Sequence, residues 1–182
     1  VKSVNVIMPW FVGRYDRAGY ANFHALIEQD IAWCKENGVE YAPLCHPGSS
    51  DRNMHPNNSV VSREGGGFYW DQIYHCVKSG AQMLYIAMFD EIDEGTAIYK
   101  CLNASDVPGN EPPTDYYVVF QGNNYRLSAN MVDGLTGNDW CKKASELGVV
   151  FQGIEDGLST DHYLWLTGQA RRMLYGEIPL SQ

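Results

Sequence analysis

Hydrophobic and polar positions along the chain repeat one pattern, a short apolar segment followed by a longer amphipathic one. Residues 4–8 are mostly apolar and end shortly before Trp10, which predicts a buried strand followed by a loop. Between residues 20 and 37 apolar side chains recur at helical spacing, and Gly38 follows as a C-terminal cap. Residues 40–45 then form a second short predicted strand.

The same pattern recurs further along the chain. Apolar residues between 69 and 77 predict a helix, Gly80 caps it, and residues 82–89 form the most apolar predicted strand. A further helical segment precedes a strand that begins at residues 149–151, and a last helix covers residues 161–174. Apolar strands that alternate with helices indicate a parallel sheet covered by helices.

Polar or aromatic residues stand where each predicted strand ends. They are Trp10, His46, Asp90 with Glu91, and Glu155 with Asp156. Barrels of the (β/α)8 type build their active sites at this end of the strands. No glycine-rich phosphate-binding segment follows a strand, which disfavours a nucleotide-binding doubly wound sheet, and we interpret residues 65–67 (Gly-Gly-Gly) as a flexible loop. The sequence therefore predicts an α/β fold, a (β/α)8 TIM barrel.

The number of repeated units is half of what a complete barrel needs. Four strand–helix units lie in 182 residues, whereas a whole barrel takes about 250 residues. We therefore expect residues 1–182 to be a single partial domain, the C-terminal half of a barrel. A missing N-terminal half or another chain is expected to complete the barrel. Residues 102–138 are predicted to be an insertion, with a hairpin in which residues 116–121 turn at Gly122-Asn123 into residues 125–127.

Composition narrows the classes of partner. The net charge of −9 and the absence of basic runs disfavour nucleic acid, and the longest apolar stretch, residues 83–89, is too short to span a membrane. Five cysteines without a CxxC pair argue against a zinc knuckle, and most should be small core residues. Aromatic residues reach 13%, which weakly favours a sugar-stacking cleft. Two Asn-x-Ser sequons, at Asn57 and Asn103, would accept glycans in a secreted protein.

The segment with the clearest chemistry is acidic. Residues 90–94 hold four carboxylates directly after the most apolar strand, and Glu91 and Glu94 lie three positions apart in it. Glycosidic cleavage needs two carboxyl groups, one protonated and one ionised, and mutual repulsion in a partly buried site separates their pKa values. Two alternatives stay open: acids at the N-terminus of a short helix over residues 96–102, and a calcium loop.

Several segments together resemble glycoside hydrolases of family 99 and the related family 71. They are residues 4–10, residues 41–44 with Pro47-Gly48, residues 87–95 (Ala-Met-Phe-Asp-Glu-Ile-Asp-Glu-Gly) and residues 159–168. The resemblance covers most of the chain. It implies a (β/α)8 barrel that cleaves α-linked glycans, typically of mannose or glucose, in an oligosaccharide or polysaccharide, without metal or organic cofactor.

The resemblance also implies roles for the two glutamates. In an Asn-Glu-Trp-x-Glu-Gly-like family motif, the first Glu acts as a base on a neighbouring sugar hydroxyl and the second as general acid; the matching residues are Glu91 and Glu94. Asp90 replaces the Asn and Ile92 replaces the Trp, so one wall of the sugar subsite has changed.

Other residues near the predicted strand ends are candidates for substrate binding. They are Trp10, Arg14, Tyr15, His46 and Asp90. Trp10 would stack on a sugar face or pack at the barrel rim, and His46 would bond a sugar hydroxyl or have a structural role. Trp70 lies at helical spacing with apolar neighbours and is predicted to be core.

We therefore predict a glycoside hydrolase that is secreted or periplasmic. The alternative is a catalytically inactive carbohydrate-binding protein on the same barrel, which the altered motif residues suggest.

Overall fold

A computed structural model describes residues 3–50, 59–103 and 154–181, and the backbone of residues 116–120 and 123–127. The chain divides into two compact units. Unit 1 comprises Val1–Ser49, Val61–Tyr99 and His162–Gln182, and unit 2 comprises Ser50–Val60 and Lys100–Asp161. The single domain over residues 1–182 stays a prediction.

Unit 1 is built on parallel strands. Strand β1 (Val6–Ile7) pairs with β2 (Glu40–Tyr41), and β3 (Leu44–Cys45) pairs with β4 (Tyr85–Ile86), both in parallel register. β2 and β3 belong to one extended segment: its first half bonds to β1, and its second half to β4. This confirms the predicted parallel pairing and the predicted strand at residues 40–45.

The first helix, α1 (Arg17–Asn37), begins and ends at residues with clear capping chemistry. The Asp16 carboxylate accepts the backbone N–H of Gly19 at 2.7 Å, which satisfies a donor that the helix leaves unpaired. Gly38 adopts the left-handed conformation (φ 61°, ψ 37°) that ends the helix. The sequence predicted the end correctly and placed the start three residues late, since the apolar periodicity does not register Asp16.

The second helix, α2 (Gly67–Lys78), follows a 3-10 turn at Glu64–Gly66. Gly65 and Gly66 have positive φ, and a β-carbon at Gly66 would collide with the Leu166 side chain. The glycines are therefore part of a packed turn, and their interpretation as a flexible loop does not describe this structure. Only glycine combines that backbone conformation with so close an approach.

A third helix, α3 (His162–Leu174), packs on α2 and completes the core of unit 1. The hydroxyls of Tyr69 and Thr167 are 2.9 Å apart across this contact. The residues of α3 that are buried there are Tyr163, Leu166, Ala170 and Met173. The predicted helix at residues 161–174 is confirmed. Trp70, in contrast, was predicted to be core and is only half-buried, with its indole N–H donating to the Ser181 carbonyl.

Other predicted elements have mixed outcomes. The apolar stretch 82–89 forms a strand only at Tyr85–Ile86. The predicted hairpin is present in unit 2 as antiparallel strands β5 (Tyr116–Phe120) and β6 (Asn123–Leu127), with Tyr116 opposite Leu127. The predicted strand at residues 149–151 lies outside the described residues; Ile154 nearby forms a parallel bridge with Asn103.

The described part of the chain contains no closed barrel. Cys34, Cys45 and Cys76 are buried among apolar side chains, as the sequence predicts, with the Cys45 and Cys76 sulfurs 3.9 Å apart. Among the described helices, none is both long and apolar enough to span a membrane.

Candidate active site

The acidic segment, residues 90–94, forms a turn that begins a few residues beyond β4. Glu91 Oε1 accepts the backbone N–H of Asp93 at 2.9 Å and that of Glu94 at 3.4 Å, so one carboxylate oxygen closes the turn on itself. Gly95 follows with φ 64°. No helix covers residues 96–102, so the interpretation of these acids as helix N-terminal decoration was wrong. Instead of a helix, the hydrogen bonds to the Glu91 side chain hold the local backbone.

The four acids of the turn differ in exposure. Glu91 and Glu94 are half-buried, whereas Asp90 and Asp93 are exposed. Two apolar side chains flank them, Phe89 at 60% and Ile92 at 62% exposed. The two glutamates are therefore the carboxylates that the fold partly shields, and exposed apolar surface lies next to them.

Backbone hydrogen bonds hold the two sides of the turn together. The N–H of Met88 donates to the Thr96 carbonyl at 3.2 Å, and the N–H of Tyr99 donates to the Phe89 carbonyl at 3.0 Å. Thr96 has no exposed surface, and its hydroxyl has no hydrogen-bond partner among the described residues. The chain thus leaves β4, forms the acidic turn and returns alongside itself.

Arg63 contacts the returning side of this turn, although no feature of the sequence pointed to it. Its Nη2 donates to the carbonyls of Gly95 and Ala97, both at 2.7 Å. Its guanidinium also lies over the Tyr163 ring, 4.6 Å from the centroid. Arginine presents several donors in a plane that stacks on aromatic faces, so one side chain makes both kinds of contact.

His46 follows β3 immediately and has no exposed surface. Its Nδ1 lies 3.3 Å from the Gly48 carbonyl, and its Nε2 has no hydrogen-bond partner in the part of the chain that the structure describes. Burial lowers the pKa of His46 to about 4; the Gly48 carbonyl opposes this shift, and the charge of Arg63 adds to it. The imidazole is therefore neutral near pH 7. The contact with a sugar hydroxyl that the sequence suggested for His46 would need access that this burial does not provide.

Tyr15 lies beside His46, with 5.9 Å between the ring centroids. Its hydroxyl donates to Gln72 Oε1 at 3.3 Å. Burial raises the pKa of Tyr15 well above its usual range, and nearby Cys45 and Cys76 act in the same direction. The phenol therefore stays protonated and packs as part of the core.

Gln72 connects Tyr15 to His46 and is a second residue that the sequence analysis missed. Its Oε1 also accepts the backbone N–H of His46 at 3.2 Å, and its Nε2 donates to the His46 and Phe68 carbonyls at 2.8 and 3.0 Å. A signal was present in the sequence, since Gln72 is a polar residue at core spacing between Tyr69 and Cys76. A buried amide at such a position must find partners for all its polar atoms.

Trp10 and Arg14 lie on the loop between β1 and α1. Trp10 is 44% exposed, and its ring centroid lies 6.1 Å from that of Tyr85 in β4. Arg14 is exposed, and its backbone N–H donates to the Phe11 carbonyl. Trp10 thus contacts one residue of the sheet and has a large part of its surface in solvent.

The structure brings the candidate residues into two groups. Tyr15 and His46 lie together in the core, whereas the acidic turn is at the surface. Arg63 connects the two groups, because it bonds the Gly95 carbonyl and lies against Gly48, where an added β-carbon would be 2.8 Å from Arg63 Cγ. Trp10 contacts the sheet through Tyr85 of β4, the strand that leads into the acidic turn.

The described ranges bear on whether the chain could bind a metal ion. No group of three or more His, Cys, Asp or Glu side chains there could hold a metal ion. The calcium-loop interpretation of residues 90–94 therefore has no ligand set in this part of the chain.

Comparisons with known proteins identify a fold. No protein-family model matches the chain, and no curated protein matches it. Two solved structures that match are of the GH99 endo-α-mannosidase from Bacteroides thetaiotaomicron, one of them in complex with bis-tris-propane. Both share 19% sequence identity with the chain, with TM-scores of 0.53 for the complex and 0.54 for the other structure.

The extent of the match defines what is shared. The two matches cover 91% and 92% of this chain, but the chain spans only 40% and 38% of the lengths of the two solved structures. It therefore has the fold of part of a GH99 glycoside hydrolase, and about two-fifths of the length of the solved structures it matches.

Proposed function

We propose that this chain is part of a glycoside hydrolase that cleaves an α-glycosidic bond, on a (β/α)8 barrel of which these residues form a portion. The observation that carries the proposal is a pair of half-buried glutamates, Glu91 and Glu94, in one turn after a parallel strand. The match to part of the GH99 fold supports it. Active sites of such barrels lie at this end of the strands.

The two glutamates are assigned different roles. Glu91 is the proposed base, because its carboxylate already acts as an acceptor and two backbone N–H groups fix its orientation. Glu94 is the proposed general acid. In the first step the glycosidic C–O bond breaks as Glu94 gives its proton to the leaving oxygen, while Glu91 takes the proton of a neighbouring sugar hydroxyl whose oxygen bonds to the anomeric carbon. In the second step one water bonds to that carbon and gives a proton to Glu94, and Glu91 returns its proton to the sugar oxygen that leaves the carbon.

The exposed candidate residues are proposed to contact the sugar. Trp10 offers a half-exposed aromatic face, and Asp90 and Arg14 are exposed polar residues. Tyr15 and His46 are more consistent with a supporting layer below the site, since both are buried. The substrate is an oligosaccharide or polysaccharide. We further propose that the protein is secreted or periplasmic and that an additional segment or chain completes the barrel.

One observation favours a second candidate, a carbohydrate-binding protein without activity. Ile92 is 62% exposed at the position where the resembling motif has Trp, so the wall it would offer a sugar is small and aliphatic. Asp90 likewise replaces an Asn and adds a negative charge beside the glutamates. A protein of this class would bind α-linked glycans and would not turn them over.

The test compares conservative amide variants of the acids in the full protein, including the segment or chain that completes the barrel. Glu91→Gln and Glu94→Gln should each lower kcat on α-mannosides or α-glucosides about 100-fold or more, since general acid–base assistance contributes roughly 10²–10⁴-fold. Asp93→Asn is the matched control, because Asp93 is an exposed acid of the same turn. It should leave kcat within about threefold of the wild type.

Substrate reactivity separates the two roles. Glu94→Gln should affect unactivated glycans most, because an activated aryl leaving group departs without a proton from the acid. Equal losses on both kinds of substrate would remove Glu94 from the acid role. Full activity of both glutamate variants would exclude this site. Binding of α-glycans by the wild type without any turnover would instead favour the inactive candidate.

A further inference from the structure

Arg63 connects three parts of unit 1 that are distant in sequence. It precedes the 3-10 turn before α2, it donates two hydrogen bonds of 2.7 Å to the Gly95 and Ala97 carbonyls, and it stacks on Tyr163 of α3. The distance between donor and acceptor is at the short end of the range for N–H···O bonds, as expected when the donor is charged.

The segment that Arg63 holds has little regular structure of its own. Residues 96–99 form neither helix nor strand, yet Thr96, Ala97 and Ile98 are buried. Carbonyls in a buried irregular segment need donors from elsewhere in the fold. The guanidinium of Arg63 provides these donors to the two residues that flank Thr96.

We propose that Arg63 is the positioning residue of the acidic turn: its contacts with the Gly95 and Ala97 carbonyls set the placement of the Glu91 and Glu94 carboxylates for their reaction. The proposal rests on the function proposed above. Arg63 acts through Gly95, which is bonded directly to Glu94, and it has no assigned contact with substrate.

The geometry favours arginine at this position. The guanidinium must stack on the Tyr163 ring while one of its nitrogens reaches two carbonyls. A lysine ammonium keeps the charge and can donate to the carbonyls, but it lacks the planar stacking surface. Arg63→Lys should therefore be an intermediate variant, and Arg63→Ala should lose both contacts.

Arg17 provides the matched control. It also joins separate elements of unit 1, since its guanidinium forms ion pairs with Glu64 at 2.8 Å and with Asp71 at 2.5 Å. These contacts hold the 3-10 turn and α2, whereas those of Arg63 hold the acidic turn. Arg17→Ala thus removes an inter-element arginine of the same unit without touching residues 89–97.

The experiment measures amide hydrogen exchange and kinetics on the full chain. Exchange in peptides that cover residues 89–99 should be about tenfold or more faster in Arg63→Ala, intermediate in Arg63→Lys and unchanged in Arg17→Ala. On an α-glycoside, kcat of Arg63→Ala should fall about tenfold or more while KM stays within about threefold, because the carboxylates are misplaced and the sugar contacts persist.

The two readouts distinguish failure of this proposal from failure of the proposed function. Unchanged exchange at residues 89–99 in Arg63→Ala would overturn the positioning role, whatever the activity. A kcat loss in Arg17→Ala equal to that in Arg63→Ala would also overturn it, as a general effect of stability. If Arg63→Ala does not fold, exchange at residues 89–99 and kcat are compared between Arg63→Lys and Arg17→Ala instead. If exchange is faster in Arg63→Ala but the wild-type protein hydrolyses no glycoside, the positioning contact of Arg63 is supported and the proposed hydrolase function is rejected.

Discussion

Lowering the pH from 7 to 4 should destabilise unit 1 through His46. The ring is fully buried, and burial lowers its pKa to about 4 in the folded protein, whereas histidine in an unfolded chain titrates near 6.5. Below pH 6.5 the unfolded chain takes up a proton that the folded protein does not accept until about pH 4. The stability that depends on a neutral His46 is therefore complete above pH 6.5 and is lost as the pH falls from 6.5 to 4.

The size of the effect follows from the difference between the two pKa values. The free energy of unfolding should fall by about 2 kcal/mol between pH 7 and pH 5, and by about 3 kcal/mol at pH 4. For a protein of this size, a loss of about 2 kcal/mol lowers Tm by roughly 4–8 °C. His75 adds to the effect in the same direction, because burial first, and then the charge of His24, lower its pKa.

The assay is urea unfolding at intervals between pH 7 and pH 4, with the wild type and His46→Gln compared. The variant should be less stable than the wild type at pH 7, and its stability should depend less steeply on pH in this window. His75→Gln should also flatten the dependence. If His46→Gln retains the full pH dependence of the wild type, the burial of a neutral imidazole at this position is refuted.

Two further predictions concern the local backbone. Gly66→Ala should destabilise the protein by about 1–3 kcal/mol more than Gly80→Ala, because both glycines have similar positive φ but an added β-carbon collides with Leu166 only at Gly66. Equal losses of Tm in the two variants would contradict this packing argument. Asp16→Ala should cost about 1 kcal/mol by removing the bond to the Gly19 N–H, and Asp16→Asn, which keeps an acceptor, should cost less in the same thermal melt.

Local signals in the sequence were sufficient for much of the fold of unit 1. Gly38 ends α1 because its left-handed conformation is a property of the residue itself, and the alternation of strand and helix predicts parallel pairing. The turn at Gly65 and Gly66 was misinterpreted because the need for glycine there comes from a residue distant in sequence, Leu166 of α3, which packs closely against Gly66. Trp70 was misassigned because helical spacing does not reveal which face meets solvent.

The candidate site was also predictable only where its signal is local in the sequence. The acidic turn is a contiguous segment, so residue type and spacing were enough to select Glu91 and Glu94. Position at a strand end did not show which of the candidate residues would be buried. His46 follows β3 directly and is buried, whereas Trp10 stands three residues beyond β1 and is half-exposed. Arg63 was not predictable, since its partners are carbonyls that carry no side-chain signal.

The discontinuity of unit 1 bears on how the chain folds during its synthesis. Tyr99 and His162 are separated by about 60 residues of unit 2, and ribosomes add roughly 5–20 residues per second. The β1–β4 strands and the first two helices therefore leave the ribosome several seconds before α3. During that time the surface of α2 that α3 later covers stays open to solvent, so the nascent chain has a surface that chaperones can bind before the last helix docks.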